Sequence, residues 1–351
     1  MGQTDMIRQR KELPFAEWPE KIQQCWDAAF FTGDFLDENG SGADLAPATR
    51  ASLKSACGRF LRFLHNEAPV SAVADAIHPA ALARYAEYKR GTCSNASVAI
   101  ELHHLRLALR LIYPALDLGW LLNASKRIAQ QGTETPRKHH LITSDRLYRV
   151  GLELMDAAIE SADASENVSK TDAFMYRDGL VIFFLSVIPL RRRTLAALRV
   201  GKQLIRSGAL WILDIPPEDT KTAQAIEFVL SATLSSRIDL YLERFRPRIP
   251  NAGGHAGLWV SNKGNPMDDG TIYDMVRRRT RKALGFAVSL HRFRHAAMTF
   301  WSIHDPANIR GGKDLLGHRS FGTTEKFYII GQSRVAARVL ADAWRRRATD
   351  L

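Results

Sequence analysis

Apolar residues recur every three or four positions along most of this 351-residue chain, and this spacing constrains the fold most strongly. Residues so spaced share one face of an α-helix, so each stripe predicts a helix buried on that side. A leader stripe is interrupted near Pro19, and a longer stripe predicts a helix over 94–113. The two stripes are Phe15, Trp18, Ile22, Trp26 and Phe30, and Val98, Leu102, Leu105, Leu109 and Ile112.

The predicted fold class is mainly α with a small β-sheet (α+β). Two β-like runs, 209–215 (ALWILDI) and 225–231 (AIEFVLS), flank PPEDTKTAQ and predict a small hairpin or sheet edge. Thr49 is a predicted helix cap. Further helices are predicted at 79–88, 144–161, 170–188, 235–245, 271–284, 291–303 and 313–318, and in the tail.

A polar segment, 131–140, contains Gly and Pro, lacks apolar periodicity and is the predicted linker. The chain length suits roughly two domains. The predicted organisation is an acidic leader with an amphipathic helix, a helical domain, the linker, a catalytic domain and a helical tail. These segments are 1–44, 45–130, 131–140, 141–332 and 333–351.

The charge is unevenly distributed. The net charge is +12, but residues 1–48 hold four Lys/Arg against nine Asp/Glu, a net −5, which leaves +17 on the other residues. A basic body favours a polyanionic partner, whereas the leader is expected to pack on protein, in the same chain or on a neighbour. No run approaches the ~20 apolar residues of a membrane span. Three scattered cysteines favour a reduced, cytoplasmic protein.

Imidazoles, guanidiniums and a phenol are concentrated between 291 and 328, in HRFRH followed by LLGHRSFGTTEKFY. A His-x-x-x-His pair can bind zinc, but Arg292 and Arg294 would repel a metal ion. The chain has neither a Gly-x-Ser-x-Gly elbow nor a phosphate loop ending in Gly-Lys-Ser/Thr. The planar fork of arginine matches the two non-bridging oxygens of a phosphodiester, so phosphoryl transfer is the favoured chemistry.

These motifs together resemble the tyrosine recombinase, or phage integrase, family. The arginine box of that family corresponds to PLRRRTL at 189–195, and its hairpin lysine to the lysine of TKTAQAIEFVL. The His-x-x-Arg-His, Leu-Gly-His and Thr-Thr-x-x-x-Tyr motifs are also present. The resemblance implies six catalytic residues: Arg191, Lys221, His291, Arg294, His318 and Tyr328.

The match departs from the family at two places. Thr194 stands where the family usually has an acidic residue, and three consecutive arginines leave a one-residue slip of Arg191 open. Tyr328 lies ten positions after His318, whereas many members have nine, which would fall on Phe327. Both spacings occur in the family. His295 follows the catalytic arginine, and a packing or supporting role is expected for it rather than direct chemistry.

The resemblance implies a site-specific recombinase in which a helical core-binding domain and a catalytic domain form a clamp on duplex DNA. Tyr328 would form a 3′-phosphotyrosine link without metal, ATP or other cofactor, and Lys221 would protonate the leaving 5′ oxygen. Expected partners are double-stranded DNA recombination sites, three further copies in a tetramer on two sites, and accessory proteins. The expected location is the cytoplasm, in association with the nucleoid.

Two other functions stay open at this point. A type IB topoisomerase-like enzyme would share the phosphotyrosine chemistry but relax supercoils as a monomer, and the helical domain before the linker argues against it. A non-catalytic DNA-binding relative is disfavoured by the complete catalytic set.

The tail carries an apolar stripe that ends in Arg345-Arg346-Arg347. Docking of the tail on its own domain and docking on a neighbouring protomer are equally expected.

Overall fold

The structure, a computed structural model, describes residues 12–67, 77–131, 142–220 and 224–304. The chain divides into two units, 1–139 and 140–351. Each unit has a hydrophobic core of its own. The helices at 313–318 and in the tail, which the sequence predicts, lie outside the described residues.

The regular secondary structure in the described part of the first unit is helical. Its helices are α1 (Glu20–Ala29), α2 (Pro47–Glu67), α3 (Pro79–Arg90), α4 (Asn95–Ile112) and α5 (Gly119–Gln130). The hydroxyl of Ser94 accepts the N–H of Ser97 and so caps α4. The predicted cap at Thr49 is wrong, because α2 begins at Pro47. Proline suits a first helical position since its φ is already helical and its missing N–H would have no partner there.

The apolar side of the leader packs against α2 and α4 of the same chain. Trp18 and Trp26 are buried in edge-to-face contact, 5.6 Å between ring centroids, in one cluster with Leu53 and Ala108. Helix α1 starts directly after Pro19, where the sequence predicts the break. The described part of the leader is therefore bound in cis.

The second unit surrounds one long buried helix. Its helices are α6 (Ser144–Ala164), α7 (Lys170–Val187), α8 (Arg192–Ala196), α9 (Ala232–Leu240), α10 (Asp269–Leu284) and α11 (Leu290–His304). A capping box between Ser169 and Asp172 starts α7, whose stretch Leu180–Leu185 is fully buried. None of the described helices is long and apolar enough to cross a membrane.

An antiparallel three-stranded sheet, in the order β1-β2-β3, completes the described part of the second unit. The strands are β1 (Leu204–Ser207), β2 (Leu210–Ile215) and β3 (Ile226–Val229). The pairing of Ile215 with Ile226 places the two ends of the β2–β3 connection side by side. The mainly α architecture with a small sheet confirms the predicted fold class.

A buried ion network ties α7 to α10. Asp178 accepts a hydrogen bond from Nη2 of Arg177 at 2.6 Å and one from Nε of Arg279 at 2.8 Å. Nη1 of Arg177 also donates to the carbonyl of Val260 at 2.5 Å. Because a buried charge that loses its partner costs several kcal/mol, this network fixes α10 relative to the central helix.

Candidate active site

Arg191 lies at the point where the buried helix α7 ends. The N–H of Ile188 still bonds to the carbonyl of Phe184, but Pro189 cannot continue the helix and the chain turns. Arg191 then takes an extended conformation as the N-cap residue of α8, and its carbonyl accepts the N–H of Leu195 at 2.9 Å. The first arginine of the run is thus anchored to the core of the second unit.

Arg294 reaches the same turn from α11. Phe293 is fully buried and fixes the rotation of α11, and Arg294 itself is 8% exposed. Its Nη1 donates a hydrogen bond to the carbonyl of Pro189 at 2.8 Å, two residues before Arg191. Residues 105 positions apart in sequence are thereby joined by one hydrogen bond.

The two guanidiniums share an unfavourable electrostatic environment. Burial, and after it the positive charge of Arg191, lowers the pKa of Arg294 to about 10. Burial also lowers the pKa of Arg191. Like charges in a partly desolvated place favour the entry of an anion, because an anion would offset both the repulsion and the lost hydration.

His291 and His295 form a hydrogen-bonded pair one helical turn apart. Their Nε2 atoms are 2.9 Å apart, and the rings meet edge to face with centroids separated by 4.4 Å. Burial and the charge of Arg294 lower the pKa of His291. The environment therefore favours a neutral His291 near pH 7, which is the form that can accept a proton.

Thr220 and Gln224, the residues on either side of the part of the β2–β3 connection that the structure does not describe, are joined by hydrogen bonds. The hydroxyl of Thr220 accepts the N–H of Gln224 at 3.0 Å and lies 2.9 Å from its carbonyl oxygen, to which it can donate. Residues 221–223 are outside the described part of the chain. The segment that contains Lys221 is consequently held at both of its flanking residues.

The same connection contacts α8. The hydroxyl of Thr194 donates to the carbonyl of Asp219 at 3.5 Å, and the side-chain amide of Gln203 donates to the Asp219 carboxylate at 2.8 Å. Thr194, which replaces the acidic residue usual in the resembled family, thus faces the hairpin backbone. Its neutral side chain adds no negative charge beside Arg191.

The outward face of α10 is strongly basic. Ile272 and Val276 are buried, and the hydroxyl of Thr280 accepts the N–H of Val288 at 2.9 Å, which fixes the turn into α11. Four cations line one shallow surface beside Asp274: Arg277, Arg278, Arg281 and Lys282. This face suits contact with several phosphates.

Of the six predicted catalytic residues, the structure brings Arg191, His291 and Arg294 together. Lys221, His318 and Tyr328 lie outside the described residues. The sequence alone did not indicate that Pro189 and Trp259 support the arginines. The buried indole N–H of Trp259 donates to the carbonyl of Leu195 at 2.9 Å and so holds α8 in place. A tryptophan outside the described helices and strands gives no local sign of such a contact.

Residues 156–333, just over half of the chain, match the model of the phage integrase family. A protein named tyrosine recombinase XerD from Chlorobaculum tepidum is 24% identical over 172 residues, 49% of this chain and 54% of that protein. A XerD from Staphylococcus saprophyticus is 23% identical over 107 residues, 30% of this chain and 36% of that protein. The chain thus spans about half, or less, of the length of these relatives.

Solved structures share the fold at low sequence identity. XerH recombinase bound to a palindromic difH substrate has a TM-score of 0.55 at 16% identity, covering 95% of this chain and 99% of that chain. A lambda integrase(75-356) dimer bound to a COC′ core site has a TM-score of 0.53 at 16% identity, covering 82% of this chain and 90% of that chain. Together with the match over 156–333, and with the arginine box and His-x-x-Arg-His motif meeting at Pro189, these findings establish that the chain belongs to the phage integrase family.

Proposed function

We propose that this chain is a site-specific DNA recombinase that cuts and rejoins duplex DNA through a 3′-phosphotyrosine intermediate. The observation that carries the proposal is the contact of Arg294 with the carbonyl of Pro189, beside Arg191. Two partly desolvated guanidiniums with lowered pKa values suit one phosphodiester, whose negative charge would offset the repulsion between them.

Each catalytic group has one role in this reaction. Arg191, Arg294 and His318 hold the non-bridging oxygens of the scissile phosphate. The phenol oxygen of Tyr328 bonds to phosphorus while the bond to the 5′ oxygen breaks. The phenolic proton passes to His291, and the ammonium of Lys221 gives a proton to the departing 5′ oxygen. Attack by the 5′-OH of a second strand reverses the step and exchanges the strands.

The phosphotyrosine ester conserves the energy of the broken bond, so the reaction needs no ATP. The guanidiniums supply positive charge where another enzyme would use a metal ion. The basic face of α10 contributes further phosphate contacts. The helices of the first unit also bind duplex DNA. Four copies on two sites form the active assembly, because strand exchange requires two cuts in each of two duplexes.

The test is covalent capture on a DNA duplex that carries a nick next to the cleavage site, with EDTA present and ATP omitted. The short cleaved fragment diffuses away, so a protein–DNA band accumulates on a denaturing gel. Tyr328→Phe should bind the duplex as the parent protein does but give no band, whereas Phe327→Leu should still give one. A band with Tyr328→Phe, or its loss only with Phe327→Leu, would overturn the assignment of the nucleophile.

Recombination between two sites on one plasmid separates this proposal from a topoisomerase-like activity. We expect recombinant product with two sites and no product with one site. The topoisomerase-like function would be favoured instead if a one-site plasmid were relaxed as fast as a two-site plasmid and the two-site plasmid gave no recombinant product. Gel-shift binding without any covalent product would favour a non-catalytic relative.

A further inference from the structure

The hydrogen bond between His291 and His295 restricts where protons lie. A neutral imidazole carries one N–H and one lone pair, so a contact between two Nε2 atoms needs one hydrogen between them. At 2.9 Å the contact is a good hydrogen bond. One of the two rings must therefore be an Nε2–H donor and the other an Nε2 acceptor.

The charged groups around His291 disfavour the addition of a second proton to the pair. Arg294 lies on the same helix and lowers the pKa of His291, and Arg191, in the turn before α8, faces Arg294. Asp145 and His304 line a cavity along the other half of α11, with Ala297 and Trp301. Within the described residues, the charged group shown to act on His291 is thus Arg294, and the His291 ring contacts the ring of His295.

We propose, resting on the function proposed above, that His295 is a positioning residue that accepts the Nε2–H of His291 and leaves Nδ1 of His291 to take the proton of the nucleophile. When the Tyr328 oxygen bonds to phosphorus and the bond to the 5′ oxygen breaks, the phenolic proton moves to Nδ1 of His291. The resulting imidazolium keeps its Nε2–H bonded to His295, and Lys221 protonates the 5′ oxygen. His295 thereby orients His291, as the third residue of a catalytic triad orients the catalytic base.

A neutral acceptor suits this site better than a carboxylate. A carboxylate next to His291 would compete with the phosphodiester for the arginines, since it would supply negative charge at the same place. An imidazole acceptor orients the base and stabilises its charged form but leaves the net positive charge unchanged. The Thr194 side chain, also neutral, fits the same arrangement.

Two variants of His295 separate the positioning role from a structural one. The side-chain carbonyl of His295→Gln can still accept the hydrogen bond, whereas His295→Phe keeps a planar ring and accepts nothing. Single-turnover cleavage of the nicked duplex is measured from pH 5.5 to pH 9. We expect a maximal rate about tenfold lower for His295→Phe, as fits the loss of one hydrogen bond to a charged group. His295→Gln should stay within about threefold of the parent.

The pH profile gives the more specific outcome. Without an acceptor the His291 imidazolium is less stable, so the apparent pKa of the base falls and the acid limb of the profile moves to lower pH in His295→Phe. The acid limb should not move in His295→Gln. An unchanged profile in both variants, or equal loss of rate in both, would overturn the proposal.

The tautomer of His291 can be measured on the full chain without DNA, and this result does not depend on whether the protein cleaves DNA. Long-range ¹H–¹⁵N spectra of the imidazoles report which nitrogen carries hydrogen. We expect His291 to be the Nε2–H tautomer in the parent protein and in His295→Gln. An Nδ1–H tautomer of His291 in the parent would overturn the positioning role, whether or not DNA is cleaved. Absence of covalent product with the parent protein would instead refute the proposed function.

Discussion

Arg191 and Arg294 are held together by the protein at an energetic cost. Both guanidiniums have lowered pKa values because they are partly desolvated, and for Arg294 the like charge of Arg191 adds to this. The hydrogen bond to the Pro189 carbonyl fixes Arg294 in place before any ligand arrives. Such preorganisation means that the protein, and not the phosphate, bears the cost of bringing the charges together.

An inorganic anion should therefore stabilise the DNA-free protein at this site. We expect sulfate to raise Tm more than chloride does at equal ionic strength, with a site-specific gain of about 1 kcal/mol, or about 2–4 °C for a unit of this size. Arg294→Gln should remove this specific gain, because one of the two guanidiniums is then missing. Thermal unfolding followed by circular dichroism is the measurement.

The control is Arg149→Gln, which neutralises an exposed arginine on α6 that pairs with Asp145. Sulfate also stabilises proteins through general exclusion from their surface, and that part of the gain should be the same in all three proteins. If Arg294→Gln gained as much from sulfate as Arg149→Gln, the arginine pair would not be an anion site.

Among the structural elements, the β2–β3 connection is the one expected to deliver the general acid. Lys221→Ala should slow cleavage of ordinary DNA by about 10²–10⁴-fold, the range that general acids contribute. Cleavage should recover on DNA in which sulfur replaces the bridging 5′ oxygen, because a thiolate leaves without a proton. Rates of covalent-complex formation on the two substrates provide the measurement.

A second variant tests whether the hydrogen-bonded base of this connection matters. Thr220→Val keeps the shape of the side chain but loses the hydrogen bonds to Gln224. Lys221 would then spend less time in the position from which it can protonate the 5′ oxygen. We expect a smaller defect, about tenfold, that the sulfur substrate also relieves. Equal defects on both substrates, in either variant, would argue that Lys221 binds phosphate and is not the acid.

Elements with strong periodicity could be predicted from the sequence, and those set by tertiary contacts could not. The helix predicted at 94–113 is α4, Asn95–Ile112, because its apolar stripe and its Ser94 cap are both local signals. Strand β1 was not predicted, since LIRS buries a single residue and is held in the sheet by its pairing with β2. Helix α5 was not predicted, although Leu121 and Ile128 are spaced two helical turns apart and contribute to the same core.

In the candidate site, too, local patterns could be predicted from the sequence and tertiary contacts could not. Arginine and histidine positions could be predicted because motif order and spacing are properties of the sequence. The contact between Arg294 and Pro189 spans 105 residues and depends on the packing of α11 against the end of α7, which no local pattern encodes. The pairing of His291 with His295 follows from i, i+4 spacing on a helix, but its hydrogen bond depends on the side-chain rotamers.

At the scale of the whole molecule, the tail beyond Tyr328 is expected to govern assembly. Its sequence has apolar residues at helical spacing, ending in Trp344 and three arginines. Deletion of residues 336–351 should leave binding to a single site nearly unchanged but abolish pairing of two sites and strand exchange. Gel-shift and two-site recombination assays measure these effects. Full-rate recombination by the truncated protein would contradict docking on a neighbour, and an insoluble product would indicate docking on its own domain.

In the proposed mechanism, one tyrosine becomes covalently linked to a 3′ phosphate of DNA at a site that includes Arg191 and Arg294. Its most direct test is to isolate the protein–DNA complex formed on the nicked duplex, digest it with protease and nuclease, and identify the modified peptide by mass spectrometry. We expect a single nucleotide-bearing peptide, with the 3′ phosphate on Tyr328. A phosphate on another residue, a 5′ linkage, or the same adduct formed at an undiminished rate by Arg294→Gln would contradict it.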